Sequence, residues 1–166
     1  MSIEIPIDET YRFTLSESTD GEYGITHAIS EWIHTNLSGL TDDNDDTVFS
    51  KVNYGYDENR LKGFTKKPVC DVYVNNLEFD NDFESSKPIK VNTIVIFTLK
   101  GANNHVYLKA CEVHDYLLQE FVVNESWRTL DGKVSDTRVM NSQLMNQPSN
   151  KVWYVMGAIE LSHHLF

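Results

Sequence analysis

The chain has 166 residues and a formal net charge of −11, with 25 acidic against 14 basic residues. This length suits a single domain, residues 1–166, whose core needs neither metals nor disulfides for stability. The acidic balance, without any run of Lys and Arg, argues against a protein that grips nucleic acid phosphates or an anionic membrane surface.

The cysteine count and the N-terminus indicate the compartment. Two cysteines are too few for a disulfide framework and are typical of reduced thiols in a cytosolic protein. The N-terminus lacks the basic and apolar regions of a signal peptide. No apolar run approaches the roughly 18 residues of a membrane span. We therefore expect a soluble protein made in a cytoplasm.

The first segment of the chain alternates apolar and polar residues at Ile3, Ile5 and Ile7, which is the period of a strand. Pro6 restricts this segment to an edge strand or an extended arm, because proline lacks the N–H that a central strand donates. We expect residues 1–20 to form such an arm or edge strand, followed by a loop.

A first amphipathic helix is predicted over residues 25–37, with Gly39 as its stop signal. His27 and His34 lie on the face opposite its apolar stripe, about 10 Å apart. That separation is too large for one metal ion, so we expect both imidazoles to be solvated. The stripe follows helical spacing through Ile25, Ala28, Ile29, Trp32, Ile33 and Leu37.

The acidic segment TDDNDD, residues 41–46, raises the question of calcium. Alternate residues match the first, third and fifth ligand positions of an EF-hand loop: Asp42, Asn44 and Asp46. However, Thr47 stands where the loop needs Gly, and Asn53 stands where it needs Glu. The following residues, VFSKVNY, have a strand pattern. A mobile acidic loop is therefore the expectation, and a specific calcium site is the less favoured alternative.

Strand patterns dominate the middle of the chain. VCDVYVNNLEF alternates, and IKVNTIVIFTLKG, residues 89–101, is the strongest strand pattern. Its odd-numbered residues share one face. Ile94 and Ile96 add apolar side chains to the other face, so we expect both faces to be covered at the centre of this strand.

A second long helix is predicted over HVYLKACEVHDYLLQEFVV, with Asn103 or Asn104 as its cap. NESWRTLDG is expected to be a loop, KVSDTRVMNSQLM one or two strands, NQPSN a turn and KVWYVMGAIELSHHLF a final strand. The order is strand, helix, three strands, helix and two strands. It predicts an α+β domain with two main helices on a mostly antiparallel sheet.

The segment CEVHD within that helix holds a thiol, an imidazole and two carboxylates. A turn of about 100° per residue places Cys111 and His114 beside the apolar stripe and directs Glu112 and Asp115 away from it. A thiol nucleophile needs an activated, accessible cysteine, and Cys111 lies in the helix body and not at the helix N-terminus. We expect Cys111 to be buried without a metal, and both carboxylates to face water or a neighbouring subunit.

A zinc site is the alternative for this segment, but it needs four ligands. Cys111 and His114 could supply two, with Cys70, His163 and His164 as the remaining candidates. Adjacent histidines on a strand point to opposite faces, and the spacing does not demand a site. We therefore predict no catalytic, cofactor-binding or metal-binding residues and no cofactor.

Two weaker patterns bear on function. Asp131 and Lys133 have the carboxylate–x–Lys spacing of some nucleases, but Asp131-Gly132 is first a turn signal. Aromatic residues in a Gly-containing segment favour hairpin packing or a subunit contact over a ligand surface: Tyr54, Tyr56 and Phe64. Neither pattern supports an enzyme.

The order of elements from Ile25 to Phe166 resembles the tail terminator, or tail completion, proteins of long-tailed bacteriophages. The likeness runs through a lone N-terminal helix, an acidic loop, the segment TKKPVCDVYVNN with Pro68, a long strand, a second helix and a closing strand. It is a likeness in the order of elements, without a signature motif, and the first 20 residues lie outside it.

This resemblance implies a structural virion protein of the tail or neck, without enzymatic activity. Such proteins form a homo-hexameric ring that caps the tail tube, stops the addition of tail-tube protein and meets the head-completion proteins. DNA would pass through the lumen without specific binding, because an acidic wall repels it. The alternatives are a small binding or adaptor domain of a virion or cell, and a metal-dependent hydrolase.

Overall fold

A computed structural model describes residues 24–55, 67–79, 88–149 and 152–166. The predicted N-terminal strand at Ile3–Ile7, and the aromatic residues Tyr56 and Phe64, lie outside these ranges. In chain order the elements are α1 (Ile25–Ser38), β1 (Lys51–Tyr54), β2 (Val69–Phe79), β3 (Pro88–Gly101), α2 (His105–Val123), α3 (Glu125–Arg128), β4 (Asp136–Ser149) and β5 (Val152–His164).

The five strands form one sheet in the order β1-β2-β3-β5-β4. Strands β2, β3, β5 and β4 pair antiparallel, whereas β1 pairs parallel to β2. The α+β class is confirmed, but the sheet is mixed. A parallel pair needs a connection of a dozen or more residues, and the chain from Tyr54 to Val69 is long enough to supply one.

Both main helices pack on the sheet, α1 against β1 and β2, and α2 against β3, β5 and β4. The predicted stripe of α1 is confirmed, with Ile25 and Ala28 half-buried and the other four residues buried. The backbone N–H of Gly39 bonds to the carbonyl of Thr35 and ends the helix.

Helix α2 has the predicted bounds and buries Ala110, Val113, Leu117 and Phe121. The side chain of Asn103 accepts a hydrogen bond from the N–H of His105, 3.0 Å away. This bond satisfies one of the free donors at the start of the helix.

The predicted loop NESWRTLDG is wrong at its start, where α3 forms. Asn124 caps this short helix by accepting from the N–H of Ser126 at 3.1 Å. Trp127 is buried edge-on against Trp32 and Phe121, with ring centroids 5.4 and 5.0 Å apart. Burial of this indole between the two main helices holds the turn of helix in place.

Strand β3 lies at the centre of the sheet and is apolar on both faces, as predicted. Val95 and Phe97 are fully buried under the helices, and on the other face Ile96 is buried and Ile94 half-buried. Gly157 of β5 lies directly opposite Phe97, and a Cβ at this glycine would come within 2.2 Å of the phenyl ring. The phenyl ring of Phe97 therefore occupies the space that a side chain at position 157 would fill.

The predicted turn NQPSN is wrong for residues 146–149, because β4 continues to Ser149 and Pro148 pairs with Trp153, whereas Asn150 lies outside the described ranges. Proline is tolerated at this point because β4 is an edge strand, where one row of N–H groups has no sheet partner to satisfy. A register shift between Val139 and Asn141 marks a bulge that leaves the side chain of Met140 63% exposed.

Candidate functional site

The segment CEVHD divides on α2 as the sequence predicted. The side chains of Glu112 and Asp115 are 72% and 81% exposed. Cys111 is only half-buried, which corrects the prediction of full burial. A hydrogen bond from the Tyr107 side chain to Cys111 raises the pKa of that tyrosine.

His114 lies with Cys111 beside the apolar stripe of α2, and its ring contacts the neighbouring residue Asp115. Its side chain is 14% exposed, and Nδ1 lies 3.3 Å from the carboxylate of Asp115. Nε2 is buried without a hydrogen-bond partner among the described residues. In the described part of the chain, no three His, Cys, Asp or Glu side chains lie close enough together to hold a metal ion.

His163 is fully buried under the helices, and the sequence did not indicate what it bonds to. Its Nε2 lies 2.8 Å from the hydroxyl of Thr93 on β3, and its Nδ1 lies 2.7 Å from the hydroxyl of Thr137 on β4. A neutral imidazole has one donor and one acceptor, and each hydroxyl can take either role. Both ring nitrogens are therefore satisfied, and three strands are joined through one side chain.

Burial lowers the pKa of His163 to about 3, with a smaller effect of the adjacent His164. The ring is therefore neutral in the native state at neutral pH. His164 is half-buried, consistent with adjacent strand residues pointing to opposite faces. The predicted zinc candidates are thus dispersed, with His163 engaged in a structural network.

The two histidines of α1 differ in environment. His27 is exposed and pairs with Glu31 at 3.5 Å, as expected for a solvated residue. The prediction for His34 is wrong: it is half-buried, its ring stacks on Tyr54 at 3.9 Å, and Nε2 donates to the carbonyl of Val52 at 2.9 Å. Helix α1 therefore covers part of β1, which the helical pattern alone could not show.

An open groove of about 780 Å³ lies between α1, the end of β1 and the middle of β2. Its walls include Ser30, Glu31, Tyr54 and Tyr73. A second groove of about 450 Å³ runs along the other flank of α1, towards Asp131. Both grooves combine hydrogen-bonding groups with aromatic or apolar surface, as binding sites do.

Asp131 has a structural role in the second groove. Its carboxylate accepts a hydrogen bond of 2.7 Å from the indole Nε1 of Trp32. Leu130, Asp131 and Gly132 have φ values of 49°, 55° and 88°, so the turn predicted from Asp-Gly is confirmed. The carboxylate and Lys133 do not share a strand face, which removes the geometric basis of the nuclease pattern.

The acidic loop at residues 41–46 closes on itself. The carboxylate of Asp42 accepts from the N–H groups of Asn44 and Asp46 at 2.8 and 3.1 Å, and Thr41 forms a bridge with Thr47. Strand β1 follows where an EF-hand would have its second helix, so the EF-hand interpretation is contradicted by the fold.

Exposed apolar side chains mark both ends of the sheet. Tyr54 and Phe79 are 59% and 49% exposed at the β1–β2 end, and Met140 and Met145 are 63% and 39% exposed on β4. Exposed apolar side chains of this size can contribute to protein–protein contacts.

At the same two edges, the backbone of the sheet has no further strand partner among the described residues. Strand β1 covers β2 only from Val69 to Val72, so within the described ranges the outer side of Val74–Phe79 has no strand partner. The outer side of β4 likewise has none among the described strands. Such edges are templates for pairing with another chain.

Comparison with protein-family models gives no match, and comparison with curated protein sequences gives no significant match. No helix in the described ranges is long and apolar enough to cross a membrane.

Proposed function

We propose that the chain is a structural virion protein, a tail terminator of a long-tailed bacteriophage. In this role it forms a ring that caps the tail tube and joins it to the head-completion, or neck, proteins. The observation that carries the proposal is a pair of sheet edges that have no strand partner within the described ranges and carry exposed apolar side chains, Tyr54 and Phe79 on one edge and Met140 and Met145 on the other.

Two different contact surfaces on one subunit favour a head-to-tail assembly over a two-fold dimer. A two-fold contact uses the same patch on both copies, whereas a head-to-tail contact joins two different patches and closes into a ring when the rotation permits. The order of elements that resembles the tail terminators gives this ring its proposed place, in the tail or neck of the virion.

The charge of the chain supports the proposed partners. A net charge of −11 leaves an acidic surface on any ring of this subunit. DNA passing through the lumen would be repelled by such a wall and would slide without specific binding. The two faces of the ring are left for the tail-tube protein and the head-completion protein.

The experiment is electron microscopy with light scattering on the purified protein, followed by addition to growing tail tubes. We expect closed rings of uniform diameter, and tubes that stop growing once the protein is added. The double variant Met140→Glu/Met145→Glu should lose the rings. Leu108→Glu, on a 61% exposed residue of α2, is the matched control and should keep them.

A protein that stays monomeric at high concentration, with and without tail-tube protein, would contradict the proposal. The groove beside Ser30 and Tyr54 favours a second candidate, a small binding or adaptor domain of a virion or cell. Under that function Tyr54→Ala would abolish partner binding while the protein remained monomeric throughout.

A further inference from the structure

We infer that neighbouring copies in this ring join edge to edge. The outer edge of β4 at Asp136–Val139 pairs antiparallel with the outer edge of β2 at Val74–Phe79 of the next copy. This inference rests on the proposed ring and adds the contact that forms it, with a second copy of the chain as the occupant of each open edge.

The two edge segments lie at the same position along the strand direction of the sheet. Following the paired residues across β3 and β5 places Val74 level with Val139, and Asn76 level with Arg138. A ring closes only when each copy is related to the next by a rotation without a rise, since a rise produces a helical filament. Edges that are already level can meet under such a rotation about an axis along the strands.

The strand directions also fit this junction. Strands β2 and β5 run in one direction, while β3 and β4 run in the other. A rotation about an axis along the strands keeps these directions. Strand β4 of one copy therefore meets β2 of the next copy in the antiparallel sense, which gives well-aligned hydrogen bonds without a crossover connection.

The charges of the two edges are complementary. On β4, the carboxylate of Asp136 lies 3.4 Å from the guanidinium groups of both Arg128 and Arg138, which leaves this edge positive. The side chain of Arg138 is 67% exposed. On β2, Glu78 is exposed and level with Asp136, so in the next copy it would lie beside a carboxylate that both guanidinium groups already contact, and the four charges would balance. The junction thus places opposite charges together in a chain that otherwise repels its own copies.

The segment Val74–Phe79 of β2 is a better site than β1 for pairing with a strand of the next copy. The carbonyl of Val52 already accepts from His34, and the stacked ring of His34 covers Tyr54 on one side. Beyond β1, the segment Val74–Phe79 has no such cover from the described residues, and Phe79 offers exposed apolar surface beside it.

Disulfide trapping tests the junction. The variant Asn76→Cys/Arg138→Cys, in a Cys111→Ser background, places one thiol on each edge. Within one copy these edges are separated by three strand spacings, about 14 Å, which is too far for an internal disulfide. We expect a ladder of linked species up to the closed ring under mild oxidation. Neither single-cysteine variant should give a ladder.

A charge exchange provides an independent measurement. Glu78→Arg or Arg138→Glu alone should raise the concentration needed for ring formation roughly fivefold, by bringing like charges together. The double exchange should restore the wild-type value. Glu112→Arg, at a 72% exposed side chain of α2, is the control and should leave ring formation unchanged.

The outcomes separate this junction from the ring itself. A wild-type ring with neither a disulfide ladder nor rescue by the double exchange overturns the junction and leaves the ring. A wild-type protein that forms no ring overturns the proposed function. Linked dimers from Arg138→Cys alone indicate a two-fold β4 contact and overturn the junction.

Discussion

The hydroxyl of Thr137 and the ring Nδ1 of His163 lie 2.7 Å apart inside the protein, on opposed residues of β4 and β5. Thr137 belongs to the segment of β4 proposed to meet the next copy. The same ring bonds Thr93 on β3 through its other nitrogen. The buried face of β4 is therefore tied to the central strand by a neutral imidazole.

The stability of the fold should depend on pH through His163. Its pKa falls from about 6.5 in the unfolded chain to about 3 in the native state. The contribution of the neutral ring is fully present above pH 6.5. As pH falls towards 3, the unfolded chain binds a proton at His163 that the native protein does not bind. The free energy of unfolding therefore falls by about 1.4 kcal/mol per pH unit. Urea unfolding from pH 7 to 5 measures this slope.

The variant His163→Gln removes this titration and should reduce the slope in that interval, although its stability at pH 7 is lower. Leu108→Gln, at an exposed side chain without a titratable group, should keep the wild-type slope. Equal slopes for wild type and His163→Gln would show that the ring is not neutral and buried as described.

Gly157→Ala should destabilise the protein by about 1–3 kcal/mol or more, because its methyl group would come within 2.2 Å of the ring of Phe97. Both residues lie in the core, so the ring has little room to move. Thermal unfolding measures the loss. Phe97→Leu/Gly157→Ala should recover part of it, and a double variant that simply adds the two losses would contradict this contact.

Loss of the Asp131 carboxylate should cost about 1–3 kcal/mol, because Asp131→Ala leaves the indole N–H of Trp32 without its partner in a part-buried site. Asp131→Asn keeps an acceptor oxygen and tolerates the positive φ at this position, so it should cost less. Chemical denaturation compares the two variants. An Ala variant as stable as the Asn variant would exclude a role for this hydrogen bond.

The two thiols should react at different rates. Cys111 is half-buried, whereas Cys70 is fully buried, and burial with a nearby carboxylate at Asp71 raises the pKa of Cys70 well above its usual range. A thiol reagent should label one cysteine in the native protein and the second only after unfolding. Loss of the native label in Cys111→Ser identifies the site, and rapid labelling of Cys70 would contradict its burial.

Local patterns were sufficient where burial follows the period of a single element. The bounds of β2 and α2, and the buried residues Val113 and Leu117, follow from spacing alone. Helical geometry also separated the outward carboxylates Glu112 and Asp115 from Cys111 and His114, which lie beside the apolar stripe.

Contacts between distant segments decided what the sequence could not indicate. His34 is covered by Tyr54, and His163 bonds a threonine 70 positions away, so neither environment is visible in a local period. Turn signals at Pro148 were overridden because an edge strand accepts proline. The parallel pairing of β1 with Val69–Val72 is likewise a contact between distant segments that a local pattern does not reveal.

The position of β5 between β3 and β4 has a consequence for biosynthesis. Strand β4 emerges from the ribosome before β5, yet among the described strands it pairs only with β5. A nascent chain that has reached only β4 therefore has no place for this strand in its sheet.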